Sequence, residues 1–553
     1  MPDDAKQELL GDEMKFQKKM STSSIMFASI SAMVGSGWLF SSLYAAQVAG
    51  PAAIIAWVLA GAIIILIALT FAEVGCLFPI AGGLANYPYF THGKLSGFII
   101  GWISWISFVM LSPIEVQAAL QYASNFFPEL MDRSHGGHQL THIGYLTATV
   151  FMLFLVTVNS IGIKFLSETN KLFSIWKMIV PAIAVTTYFL YAKDTSNLTN
   201  IQTGGFAPYG MHGVLSALAV AGVVFSFNGF QVAILMAAET KDPQKSIPKA
   251  VIGSVFFGTL LYGMLQLAFL VAIPKNLLTH GWQGLSFHGD AGPLAGLAGL
   301  LGASMVSSLL YVDAVVAPMG AGLVYVTSGS RVLYGLSANG YVSKKLSKIN
   351  KRGIPMATLW VNFIIGMLAF LPFPGWQAMV TFLSSILVAT YALVPICLVS
   401  LRKLQPQLNR TFQLPFSSTI SFFAFYLCNL MLYWTGYKTM LKLFVCILVG
   451  VGFFLFTIYK SNNFRQELQF TIKHSGWLLL YFAGLTFISY FGSFDGGLNL
   501  YQNYSEYILL LIFSFGIFIL SQKSNLEITS SSNNIEHILS ENHTSSAEIQ
   551  RHI

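Results

Sequence analysis

The stretch Ser29-Ile30-Ser31-Ala32-Met33-Val34-Gly35-Ser36-Gly37-Trp38 places two glycines and a serine in the middle of a long apolar segment. Glycine inside a helix costs about 1 kcal/mol relative to alanine, so we expect the helix to break here. Non-helical backbone within a membrane persists only where it is buried in protein or lines a cavity. The stretch therefore indicates a discontinuous membrane helix with a polar site at its centre.

A second apolar segment is interrupted in the same way, at Val224-Phe225-Ser226-Phe227-Asn228-Gly229-Phe230-Gln231. It is the sixth apolar segment, five after the first, so the two run in opposite directions across the membrane. Broken helices at matching places in two inverted repeats are typical of secondary transporter sites. For either break alone, close helix packing through small residues is the alternative explanation.

The composition of the chain supports a membrane protein. Only 9% of the 553 residues are charged and 55% are hydrophobic, whereas soluble domains carry about 25% charged residues. About fourteen stretches are long and apolar enough to span a bilayer. The sequence predicts an all-α polytopic membrane protein and excludes a soluble globular protein or a disordered chain.

The distribution of basic residues predicts the orientation. With the N-terminus in the cytoplasm, about 24 of the 30 Lys and Arg residues lie on the cytoplasmic side, as the positive-inside rule requires. Both termini are then cytoplasmic, and the plasma (bacterial inner) membrane is the expected location. The formal net charge of +8 reflects this topology and contact with the lipid bilayer, so we expect no binding to nucleic acid.

Further short motifs follow in a fixed order along the chain. They are Gly35-Ser36-Gly37; Phe71-Ala72-Glu73 with Pro79-Ile80-Ala81-Gly82-Gly83; Phe225 to Phe230; Ala237-Ala238-Glu239 with Asp242 to Pro248; and Ser330-Arg331-Val332-Leu333-Tyr334-Gly335 with Arg352-Gly353-Ile354-Pro355. Together they resemble the amino acid–polyamine–organocation (APC) superfamily of amino acid permeases over about residues 20–400. The extra C-terminal helices and Pro113-Ile114-Glu115 resemble the bacterial and archaeal branch that includes aspartate–proton symporters.

The resemblance implies a LeuT-like fold of two inverted five-helix repeats with broken helices 1 and 6. The expected parts are a cytoplasmic N-terminal tail (1–22), a ten-helix transport core (23–400), four additional transmembrane helices (401–521) and a cytoplasmic tail (522–553). The last part is rich in Ser, Asn, Glu and His, a composition typical of disorder.

The two breaks suit a free amino acid, which carries a carboxylate and an ammonium group. N–H groups of the helix that restarts after Gly35-Ser36-Gly37 would bind the carboxylate, and the glycines allow close approach. Carbonyls of Phe225, Ser226 and Phe227 would accept hydrogen bonds from the ammonium group. By the resemblance Phe225 is also an aromatic gate over the site, with a packed core phenylalanine as the alternative.

The resemblance also implies a pocket for the side chain of the substrate, lined by Ser112, Glu115, Asn228, Tyr325 and Ser385. Ser112 and Glu115 are three residues apart and share a helix face. An acid inside the membrane is costly and is a functional candidate by default, although Glu115 could instead form a structural hydrogen bond. Its charge suits a cationic amino acid, whereas the branch resemblance points to aspartate, so the identity of the substrate stays open.

Lys177 is the one basic residue well inside an apolar segment, about one and a half turns from its cytoplasmic end. By the resemblance it occupies the place of a coupling cation, so Lys177 and Glu115 are predicted to couple transport to protons. Snorkelling to the nearby surface is the alternative. Glu73 and Glu239 lie near cytoplasmic helix ends and are predicted gating or loop-anchoring residues, and Asp313 is expected in the outer vestibule.

The sequence thus predicts a secondary active amino acid transporter that works by alternating access. Proton symport is favoured, and exchange of amino acids is the alternative. No HExxH, Walker A or Cys-x-x-Cys motif occurs, so no catalytic residue, metal site or cofactor beyond a coupling proton is expected. A membrane-embedded enzyme or a channel is disfavoured, because neither a catalytic histidine within a span nor a pore loop is found. The oligomeric state stays open.

Overall fold

The computed structural model describes residues 21–78, 83–132, 138–161, 163–192, 195–235, 242–338, 340–350, 354–408, 410, 412–459, 463–501, 504–532 and 535. Four predicted features lie outside these residues: Glu239, the segment 79–82, the motif start Arg352-Gly353, and most of the two terminal tails.

The described residues are almost entirely helical. The helices are α1 (Thr22–Met33), α2 (Gly37–Ala49), α3 (Ala53–Leu77), α4 (Gly83–His92), α5 (Lys94–Ala123), α6 (His142–Ile161), α7 (Ile163–Tyr191), α8 (Gly210–Val220), α9 (Val223–Ser226), α10 (Val232–Leu235), α11 (Pro243–Ala272), α12 (Pro293–Leu300), α13 (Ser304–Ala338), α14 (Met356–Ala369), α15 (Trp376–Leu404), α16 (Ser417–Trp434), α17 (Tyr437–Tyr459), α18 (Phe464–Ser475), α19 (Trp477–Phe491) and α20 (Ser505–Lys523). Among the described residues, strand structure is limited to the antiparallel pair β1 (Met131–Asp132) and β2 (Gln139–Leu140), in which Met131 pairs with Leu140.

Eight helical stretches of the described chain are long and apolar enough to cross a membrane by length and composition, and shorter apolar helices, among them α1, α8, α14 and α19, lie between them in the chain. We call the face of the bundle at which α1 begins the N side. From there α1 and α2 together cross to the opposite side, and the later crossings alternate in direction. The predicted all-α polytopic membrane fold is confirmed.

The first and sixth crossings are interrupted, as predicted. In the first, the backbone leaves the helical region at Val34 (φ −85°, ψ 81°) and α2 begins at Gly37. The sixth consists of α8, α9 and α10, separated at 221–222 and 227–231. Gly222 and Gly229 have φ values of +79° and +127°, which residues with a Cβ rarely adopt.

The centre of the bundle is formed by α5, α13 and α15. α5 packs along α13 and against α15, while α11 packs against α1 and α3. The apolar parts of α5 and α15 are the most completely buried of all the crossings in the described chain. Both breaks lie against this buried centre, so they are enclosed by protein and not exposed to lipid, as non-helical backbone in a membrane requires.

The C-terminal helices pack against the preceding helices of the bundle, and the first residues beyond 522 also contact the bundle. α20 extends to Lys523, the Leu526 N–H donates to the Thr91 carbonyl at 2.8 Å, and Ser531 is fully buried. Disorder is expected for the whole of 522–553, but residues 522–532 are ordered. Their contacts with α4 compensate for their polar composition. A further short helix, α18, lies between α17 and α19.

Candidate functional site

The first break is a helix start enclosed by neighbouring helices. Ser36 is fully buried and directly precedes α2. A Cβ added to Gly35 would lie 3.0 Å from Glu115 Oε1, and one added to Gly37 would lie 2.6 Å from Ser226 Oγ. Both glycines are therefore required by the close approach of α5 and α9, as expected for a site where backbone meets other groups closely.

A carboxylate of the protein occupies this helix start. Glu115 is fully buried, and its Oε2 and Oε1 accept the Ser36 N–H at 3.1 and 3.5 Å. An anion is favoured here by the unpaired N–H groups and the helix dipole. The sequence predicted this position for the carboxylate of the substrate and aimed Glu115 at its side chain. The structure differs because α5 runs directly beside the break, where a buried carboxylate finds its hydrogen-bond donor.

The second break brings Phe225 and Ser226 against the first. The Phe225 ring lies 3.1 Å from the position of a Cβ on Gly37, and Ser226 Oγ is 3.4 Å from Ser41 Oγ on α2. The Phe225 carbonyl accepts the Asn228 N–H at 2.8 Å and also the Phe227 N–H. The side chains of Phe225 and Ser226 are thus adjacent to the predicted carboxylate site.

Amide side chains replace the helical hydrogen bonds that the second break loses. Asn228 Oδ1 accepts from Gln231 Nε2 at 2.8 Å and from the Tyr391 hydroxyl at 3.4 Å, and Gln231 Oε1 accepts the Gly229 N–H at 3.0 Å. Buried polar groups are nearly always paired in this way. Asn228 therefore holds the break in shape, and Gln231 is a supporting residue that the sequence reasoning missed.

The remaining residues of the predicted side-chain pocket are Ser112, Tyr325 and Ser385. Ser112 and Tyr325 line a small cavity between α5, α6, α13 and α14. Ser385 is fully buried, and its hydroxyl donates to the Phe382 carbonyl of its own helix at 2.6 Å. Tyr325 interacts electrostatically with Glu115 and with Tyr391, and the Tyr391 hydroxyl donates to Asn228. A single pocket lined by all five residues stays a prediction.

Lys177 lies at the middle of α7 and is 5% exposed. α7 begins at Ile163, but its apolar part begins only at Ile175, and Lys164, Glu168 and Lys171 precede it. The distance from Lys177 to the helix start therefore does not measure its depth in the membrane. Its burial favours an ammonium group held inside the bundle over one that snorkels to the surface.

Two carboxylates face this ammonium group. Lys177 interacts electrostatically with Glu115 and with Asp313 of α13. Asp313 is fully buried, not in an open vestibule as predicted, and its Oδ1 accepts from Trp176 Nε1 at 2.6 Å. Its Oδ2 has no hydrogen-bond partner within the part of the chain that the structure describes. Lys177 thus interacts with two buried carboxylates, of which Glu115 lies at the first break.

Glu73 at the N side is held quite differently. Its carboxylate accepts from Arg402 Nε at 2.8 Å and Nη2 at 2.7 Å, and from the Leu414 N–H at 2.7 Å. Arg410 Nε lies 3.6 Å from Glu73 Oε1. These contacts join α3 to the end of α15 and to the chain that leads into α16. Of the two predicted roles, they favour loop anchoring.

Two aromatic residues at the breaks carry no signal that the sequence reasoning used. Trp376 donates from Nε1 to Ser36 Oγ at 3.1 Å, and the Tyr262 hydroxyl donates to the Met33 carbonyl at 3.0 Å. Both lie in ordinary apolar segments, where an aromatic residue is unremarkable by pattern. No group of three or more His, Cys, Asp or Glu residues that could hold a metal ion occurs in the described ranges.

Comparison with known proteins adds independent findings. Residues 20–439 match the family model described as amino acid permease. The chain is similar to the glutamate/serine transporter AimA of Bacillus subtilis, with 34% identity over 518 residues that cover 93% of this chain and 95% of that protein. It is similar to the aspartate-proton symporter of the same organism, with 33% identity over 508 residues (91% and 96%). Similarity to the aromatic amino acid transport protein AroP of Escherichia coli K12 is lower, at 26% over 404 residues (71% and 83%).

Proposed function

Because this chain belongs to the amino acid permease family, we propose that it is a secondary active amino acid transporter that works by alternating access and couples substrate movement to protons. Family membership makes it an integral membrane permease for amino acids and not an enzyme. The mechanism, the coupling ion and the substrate side chain are the proposed part. The observation that carries the proposal is the Glu115 carboxylate on the Ser36 N–H.

Substrate and Glu115 compete for the same donor. The carboxylate of an amino acid needs the N–H groups at the start of α2, and Glu115 already accepts from one of them. Two carboxylates on one site cannot both stay ionised at low cost. Entry of the substrate therefore displaces Glu115, and a proton on Glu115 makes that displacement favourable.

The charge count in the interior supports uptake of one proton. Glu115, Asp313 and Lys177 carry a formal charge of about −1 together when all are ionised, and an uncompensated charge in a low-dielectric interior is costly. Docked on the helix start, Glu115 is stabilised by the dipole. Once displaced, it loses that stabilisation, and one proton restores neutrality among these three protein groups, with Lys177 as the cation beside Asp313.

The substrate class follows from two considerations. The relatives that match over more than nine-tenths of this chain are named for glutamate, serine and aspartate. The charge argument for a cationic substrate weakens, because Glu115 is engaged with Ser36 and not directed at a side-chain pocket. We therefore propose acidic and small hydroxyl amino acids as substrates.

The N side of the bundle is assigned to the cytoplasm of a plasma membrane. The connections on this side carry basic residues such as Lys344, Lys345, Arg402 and Arg410, as the positive-inside rule expects. The opposite side is then extracellular. Substrate and protons would enter from that side and leave at the N side.

Ligand binding to the purified protein tests the substrate class first. Each of the common amino acids is added in a thermal-shift assay, since a ligand of the folded state stabilises it by RT ln(1 + [L]/Kd), about 2.7 kcal/mol at 100 times Kd. Aspartate, glutamate or serine should give the largest shifts, with lysine and arginine as the cationic comparison. If no amino acid stabilises the protein, the proposed function fails.

Transport in proteoliposomes tests the coupling. An inward proton gradient should drive accumulation of the best ligand into empty vesicles, and a protonophore should abolish it. Uptake that requires substrate inside the vesicles and ignores the gradient would identify an exchanger and overturn symport.

A further inference from the structure

Trp376, the first residue of α15, bridges the two broken crossings. It is fully buried, and its Nε1 donates to Ser36 Oγ at 3.1 Å in the first break. In the second break, a Cβ added to Gly222 would lie 2.8 Å from Cη2 of the indole. The ring therefore fills a notch that exists because Gly222 has no side chain and adopts a φ of +79°.

The indole is also the centre of a buried aromatic cluster. It stacks on Phe40 at 4.7 Å and on Tyr44 at 5.8 Å between ring centroids, and Phe225 meets it edge to face at 6.0 Å. Aromatic pairs in such arrangements contribute attraction beyond the burial of area. Phe40 and Tyr44 belong to α2, which leads from the first break to the opposite side. The cluster thus lies between the Gly35-Ser36-Gly37 site and the opposite side of the bundle.

We propose that Trp376 is the plug that closes the path between the opposite side and the two breaks. This inference rests on the proposed transport cycle, since a plug has a function only if the site opens to that side. Opening requires the indole to release the Ser36 hydroxyl and to leave the notch at Gly222. A single hydrogen bond to a hydroxyl contributes only modestly to stability, so this contact can be broken reversibly.

The hydrogen bond of the plug does not use the backbone donor that is proposed to bind the substrate carboxylate. Its hydrogen bond goes to the Ser36 side chain, whereas the Ser36 N–H faces Glu115. The indole can therefore leave the Ser36 hydroxyl independently of the step in which the substrate carboxylate replaces Glu115 at the Ser36 N–H. Loss of Trp376 should change access to the site more than the chemistry of binding.

Cysteine reactivity from the opposite side tests the plug. Ser41 of α2 is fully buried and lies near Gly222 and Ser226, so S41C reports whether the path is open. Cys446, the one partly exposed native cysteine, is first replaced by serine. A membrane-impermeant maleimide is then added to oriented vesicles without substrate, which makes the result independent of transport.

S41C should react slowly when Trp376 is present. W376A should raise its rate by about tenfold or more, because the population of open molecules governs the reactivity of a buried group. W376L should raise the reaction rate of S41C by a smaller factor. This variant replaces W376A in the test if W376A does not fold. W376F keeps a ring but lacks the N–H donor, so its rate should lie between wild type and W376L.

Trp282 supplies the matched control. It is also fully buried, but it lies in the connection between α11 and α12 against Gly50. W282A should leave S41C slow. Equal acceleration by W282A and W376A, or no acceleration in folded W376A and W376L, would overturn the plug. A protein that shows the Trp376-dependent change but moves no amino acid would instead refute the proposed function.

Discussion

Glu73 and Glu115 are both fully buried carboxylates in membrane-crossing helices, yet their surroundings differ in kind. Glu73 receives two hydrogen bonds from one arginine and one from the Leu414 backbone. Glu115 receives the N–H of a helix start, with Lys177 as a nearby cation. The guanidinium belongs to the protein itself, so it holds the Glu73 carboxylate in one place. A helix start binds any anion, and so it can exchange one carboxylate for another.

The two residues therefore have different roles, one structural and one functional. Removal of one partner from a buried ion pair leaves an uncompensated charge and is strongly destabilising, so Glu73 contributes to the integrity of the fold at the N side. Glu115 can leave its donor when a substrate carboxylate replaces it. The distinction between a structural and a functional acid thus lies in the partner and not in burial. The predictions below test this distinction.

The largest effect is expected at Gly37. In G37A the new Cβ would lie 2.6 Å from Ser226 Oγ and 3.1 Å from the Phe225 ring, so the two breaks must separate and substrate binding should be abolished. G263A is the matched control, because a Cβ there meets nothing within 4 Å on α11. Ligand-induced thermal shifts of both variants check this. Normal binding by G37A would remove the first break from the site.

Lys177 should be next in effect. K177A removes the cation that Glu115 and Asp313 share, so proton-driven accumulation should vanish while exchange of labelled for unlabelled substrate persists. Uptake with and without a pH gradient, and counterflow, are measured in the same vesicles. K438A is the control, because Lys438 forms an exposed pair with Asp495 and exposed pairs contribute little. Unchanged accumulation by K177A would refute its role in coupling.

Glu73 should affect stability and leave coupling intact. E73Q weakens the contacts with Arg402, Arg410 and Leu414, and we expect a loss of about 3 kcal/mol, the lower end for a broken buried pair. Thermal unfolding measures the loss, with D495N as the exposed control. The pH dependence of substrate affinity should match wild type. A stable E73Q with altered pH dependence would erase the contrast between the two acids.

The smallest effect concerns acid sensitivity at the N side. Outside the membrane-spanning segments, burial lowers the pKa of His92 from 6.5 to about 4, and its Nε2 hydrogen bonds to the Ser521 carbonyl at 3.1 Å. The folded protein thus favours the neutral ring, and this contribution to stability is complete above about pH 6.5 and falls as the pH drops towards 4.

Replacement of His92 isolates that contribution. H92Q retains an N–H donor without titrating, so its unfolding temperature should fall less than that of wild type between about pH 6.5 and 4. His474 contacts the same segment through the Ser524 and Asn525 carbonyls and is left in place in both proteins. Parallel curves for the two proteins would contradict the assignment.

The breaks could be predicted because their signal is local. Gly35, Gly37 and Gly229 oppose helix formation inside apolar segments, and no tertiary information is needed to recognise this. The partner of Glu115 could not be predicted in the same way. It depends on how α5 is placed beside Ser36, a residue 79 positions earlier, and spacing along one helix carries no information about that placement.

Trp376 and the chain after residue 522 show the same limit. An aromatic residue at the start of a span is typical of a membrane-interface anchor, whereas Trp376 is enclosed between two breaks. The polar composition after α20 predicts disorder, but Leu526 hydrogen bonds to Thr91. In each case the deciding contact joins segments that are distant in sequence.

The pH dependence of substrate affinity in wild type and E115Q tests the central claim most directly. Affinity for the best acidic or hydroxyl amino acid is measured at about pH 5.5 and about pH 7.5. Wild type should bind more tightly at the lower pH, by up to tenfold per unit if one proton is taken up. E115Q should bind equally at both, about as tightly as wild type at low pH, because a neutral amide resembles the protonated acid. An unchanged pH dependence in E115Q, or none in wild type, would contradict the exchange of carboxylates at Ser36.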